Sequence, residues 1–92
     1  MNEQVATRLK EQAAHALPHM LIQTLSQEIG RVPNQFEFIS YFKLAFTCTP
    51  IRTLMEASTS KQLVGKDGLS DQEFDRLLSP YIGASLRASR QV

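Results

Sequence analysis

A chain of 92 residues with 42% apolar and 21% charged side chains has ordinary globular composition, which excludes the low-hydrophobicity, high-charge signature of disorder. Ten basic against nine acidic residues leave a net charge of +1, spread evenly along the chain, so neither half is built to attract a polyanion. A single cysteine, Cys48, rules out an intramolecular disulfide, and at this length only one small core is available, burying about 60 to 65% of the unfolded surface.

The opening MNEQVATRLKEQ is too polar for the apolar core of a signal peptide, and no apolar run approaches the roughly 18 residues of a membrane span. A cytoplasmic protein with no membrane contact is the expectation. From residue 3 to residue 29 the apolar positions recur at helical spacing: Val5, Leu9 and Ala13, then Leu17, Leu21 and Leu25, with Ile22 and Ile29 on the adjacent row. Pro18 interrupts this pattern, because it cannot donate to the carbonyl of Ala14 and its ring crowds that carbonyl. The sequence therefore predicts either one kinked helix or two helices meeting near residues 16 to 18, ended by Gly30 as a C-terminal cap.

In VPNQFEF Asn34 and Glu37 have the spacing of a capping box, which starts a helix over residues 35 to 46. Placed at 100° per residue, Phe38, Ile39, Tyr41, Phe42, Ala45 and Phe46 span an arc of about 160°, wider than an ordinary surface helix needs. Phe36 and Leu44 fall outside even that arc. Five of the seven Phe and Tyr residues lie in these twelve positions, so this helix is the centre of the core, or its surplus face meets a partner.

Thr49 is expected to cap a short helix with Pro50 at its first position, Ile51, Leu54 and Met55 facing inward and Arg52, Thr53 and Glu56 outward. Residues 58 to 68 are rich in turn formers and read as a loop with Leu63 and Val64 tucked inward. Ser70 and Glu73 form a second capping box, with Leu69 and Phe74 as a hydrophobic staple. Pro80 is expected to bend or end this last helix after Leu78, leaving residues 84 to 92 as a frayed tail.

The outcome is an all-α fold, a single-domain bundle of four to five helices over residues 1 to 92, with the N-terminal helix kinked or broken near Pro18. Several residues invite a chemical reading. His15 and His19 stand four apart, as zinc-binding imidazoles do on a helix, but no third histidine exists and Pro18 lies between them. Solvent-facing histidines beside a kink account for them, and no metal is assigned. Cys48 has threonine neighbours rather than a base and reads as a small buried hydrophobe. In GKDGLSDQEFD the spacing departs from a calcium loop, and Asp71 and Asp75 are tolerated on a solvent face. No catalytic constellation and no cofactor motif is present, so a non-enzymatic role is expected.

The favoured function is that of a small regulatory or adaptor protein acting through protein contacts, with self-association as a homodimer included. Phe36, Tyr41 and Leu44 are its candidate interface. The alternative is a helix-turn-helix-like DNA-binding regulator that uses residues 50 to 58, with Arg52, Thr53, Lys61, Arg87 and Arg90 as its nucleic-acid contacts. Against that alternative stand the absence of a turn glycine, Glu56 on the reading face, and a nearly neutral chain where phosphate binding wants several cations.

Overall fold

The structure, a computed structural model, describes residues 3–90, with Ser89 and Arg90 described in their backbone alone. Among the described residues the chain forms six helices and no strand: α1 Glu3–Ala13, α2 Met20–Ile29, α3 Gln35–Ala45, α4 Ile51–Ala57, α5 Lys61–Val64 and α6 Asp71–Arg90. None of these is long and apolar enough to cross a membrane.

The N-terminal periodic segment is divided. α1 ends at Ala13 and α2 begins at Met20, with Pro18 buried in the turn between them. Gly30 closes α2 in the left-handed conformation, φ 80°, which costs an achiral residue nothing. Asn34 starts α3 through a complete capping box: its side chain accepts from the Glu37 N–H at 2.8 Å, and the Glu37 carboxylate accepts from the Asn34 N–H at 3.0 Å. Arg31 grips the same carboxylate.

Three expectations are corrected in the second half. First, Thr49 does not cap α4. Pro50 holds the N-cap place in extended conformation, its carbonyl accepting the first helical bond from Leu54, and the buried Thr49 Oγ1 has no hydrogen-bond partner among the described residues. Second, the inner face of α4 is centred on Leu54 and Ala57, both fully buried, so Ile51 and Met55 come to the surface at the edge of the apolar stripe. Third, Pro80 sits inside α6 rather than ending it. The helix continues because Ile82 and Ser85 are buried beyond the proline, with Leu86 packed against the core.

The segment expected to be a plain loop contains α5, capped by Ser60 through its bond from the Gln62 N–H at 3.1 Å. Leu69 bridges back to Ser60 there: the Leu69 N–H donates to the Thr59 carbonyl and the Lys61 N–H to the Leu69 carbonyl. Gly68 makes this closure feasible, since a Cβ at that position would fall on the Thr59 carbonyl oxygen.

The core joins Val5 and Leu9 of α1, Leu21, Ile22 and Leu25 of α2, Phe38, Phe42 and Ala45 of α3, Leu54 of α4, and Phe74, Leu78 and Ile82 of α6. Four rings stack at its centre. Phe42 meets Phe38, Phe46 and Phe74 with centroids 4.3, 5.6 and 6.5 Å apart, the tilted and edge-on arrangements that suit aromatic quadrupoles. α3 packs against α1 on one side and α4 on the other, and α4 packs in turn on α6.

Candidate functional site

The surplus apolar positions of α3 share one surface. Phe36, Ile39, Ser40, Lys43 and Leu44, with Thr47 beyond the helix end and Ile51 at the start of α4, line an open groove of about 560 Å³. Its origin is angular. Burial of Phe38, Phe42 and Ala45 fixes the inward face of α3, and positions 36, 40, 43 and 44 then fall on the far side of a helix with 3.6 residues per turn. Phe36 is 76% exposed, the least covered large apolar side chain among the described residues, while Ile39 and Leu44 form the half-buried floor against the core.

The hairpin geometry holds the groove open. Gln35 at the start of α3 donates to the Ser58 carbonyl just past α4 at 3.1 Å, so α3 and α4 lie antiparallel. Lys43, the one charged group in the lining, is tethered: its Nζ donates to the Thr47 and Thr49 carbonyls at 3.0 and 2.8 Å, satisfying acceptors left over beyond the α3 C-terminus. What the groove offers is apolar wall with a peripheral cation.

Of the residues proposed for an interface, the structure brings Phe36 and Leu44 together here. Tyr41 goes elsewhere. It is half-buried against the core, on the inward side of α3, and takes no part in the groove. Val32 is 62% exposed, so Phe36 is not folded beneath the segment that precedes it.

The residues proposed for nucleic acid are dispersed. Arg52 is exposed in the first turn of α4 and Thr53 is half-buried beside it; Lys61 opens α5, and Arg87 lies exposed on α6. The Cys48 N–H donates to Ser85 Oγ at 3.1 Å, which places the start of α4 near the Arg87 end of α6. Lys61 lies beyond the other end of α4, roughly 10 Å along the helix. The Arg90 side chain lies outside the described residues. Around Arg52 the exposed surface of α4 carries Ile51, Met55 and Glu56, which is apolar and acidic chemistry rather than a phosphate contact.

A polar cluster missed by sequence reasoning ties α2, α5 and α6 together. The Asp75 carboxylate accepts from the His19 N–H at 2.7 Å through one oxygen and meets His19 Nδ1 at 2.7 Å through the other. It thereby caps the start of α2, where the His19 side chain itself makes no cap. Gln62 Nε2 completes the brace, donating to the His19 carbonyl at 3.2 Å and to Asp71 Oδ1 at 3.0 Å. His19 and Asp75 are 24% and 18% exposed, so neither is the solvent-face residue expected of it. His15 alone is exposed. The signal that could have found the pair was a helix start without a good N-cap residue, which needs an acceptor from elsewhere. Cys48, expected to be buried, is exposed, because its backbone is turned into the α4–α6 contact and its side chain outward.

Comparison with protein-family models, with curated proteins and with solved structures finds no match to this chain.

Proposed function

We propose that this protein acts through protein–protein contacts, as a small non-enzymatic regulatory or adaptor protein, and that the groove between α3 and α4 is its contacting face. One observation carries the reading: a large aromatic side chain, Phe36, stands exposed beside Ile39, Leu44 and Ile51 in an open apolar groove. Contiguous exposed apolar side chains, more than scattered single ones, mark interaction sites. Aromatic side chains are the anchors such contacts use, because they give large area for little rotamer entropy.

The test is affinity capture from native lysate, treated with nuclease, using wild-type protein and Phe36→Asp. Position 36 is in the first turn of α3, where an acidic residue suits the helix dipole, so the variant is expected to fold with unchanged circular dichroism. Proteins retained by wild type and lost from the variant support the reading; the same set retained by both overturns it. Material lost on nuclease treatment instead would favour the nucleic-acid alternative.

A further inference from the structure

We draw no further inference here: the strongest candidate, the occupant of the apolar groove between α3 and α4 lined by Phe36, Ile39, Leu44 and Ile51, belongs to the face already proposed as the contact, and nothing in the structure shows what covers it.

Discussion

Glu37 is where a single side chain couples the folding of α3 to solution conditions. Arg31 binds its carboxylate and the Asn34 N–H donates to it, and these contacts, the arginine hydrogen bond foremost, pull its pKa from 4.5 to about 2. A carboxyl whose pKa is lower folded than unfolded stabilises the fold wherever it is ionised in both states. That stability is fully present above pH 4.5 or so and is lost as pH falls toward 2. Glu37→Gln is therefore expected to lower the urea midpoint at pH 6, and the gap from wild type should close between about pH 4.5 and 2; a gap independent of pH would show that the ionised carboxylate is not what matters. The same contact shows what is readable in sequence: Asn34 and Glu37 are three residues apart, and a capping box is defined by that spacing. His19 and Asp75 are 56 residues apart, and no local rule joins them. Their pair is expected to be costly to break. Asp75→Ala strips the acceptor from two donors at the half-buried start of α2 and should cost about 1 to 3 kcal/mol in a denaturant titration. In a double-mutant cycle with His19→Ala, the two losses should not add.

Among the elements, the helix starts that carry capping boxes were the most legible. α3 and α6 begin where their capping boxes place them, since an N-cap is a short-range exchange of side-chain and backbone bonds. Pro80 was expected to bend or end the last helix, and of these the end did not hold, because proline propensity describes an isolated helix whereas Ile82 and Ser85 are buried further along this one. α5 is only four residues long and is held by the bridge between Ser60 and Leu69, a contact across nine residues that hydrophobic periodicity does not register. Pro80 should accordingly be a cost the tertiary contacts override. Its ring is exposed, and it leaves the Arg76 carbonyl without the usual donor. Pro80→Ala restores that bond at the expense of a less restricted unfolded chain, for a net gain of about 1 to 2 kcal/mol and a rise in Tm of roughly 5 to 10 °C in a chain of this size. A Tm that stays level or falls would mean that Pro80 is needed to seat Ile82.

At the scale of the whole molecule, the five phenylalanines divide into two populations. Four of them, Phe38, Phe42, Phe46 and Phe74, are fully buried and in ring contact with one another, while Phe36 stands at the surface. The apolar excess of α3 was visible in the sequence as an arc too wide for one buried face. Which side would be covered was not, because coverage depends on α1 and α4 packing against α3 and on their distances along the chain. Angular position placed Tyr41 within the apolar arc, and it lies on the core flank although it was named for the interface; for Met55 the angle misled, since that side chain is at the surface. Stability measurements should separate the two populations. Phe38→Ala removes a ring from the centre of the core and is expected to cost about 3 to 5 kcal/mol, enough to threaten folding of a small domain whose total stability is roughly 5 to 15 kcal/mol. Phe36→Ala, three-quarters exposed, should change the stability of the monomer by less than about 0.5 kcal/mol. If the chain self-associates through this face, the same substitution will lower the apparent Tm by an amount that grows with protein concentration, since dimerisation stabilises the folded state by mass action. Thermal melts of wild type and Phe36→Ala at the lowest and highest workable concentrations decide this: a constant difference assigns Phe36 to the fold, and a widening one assigns it to the contact.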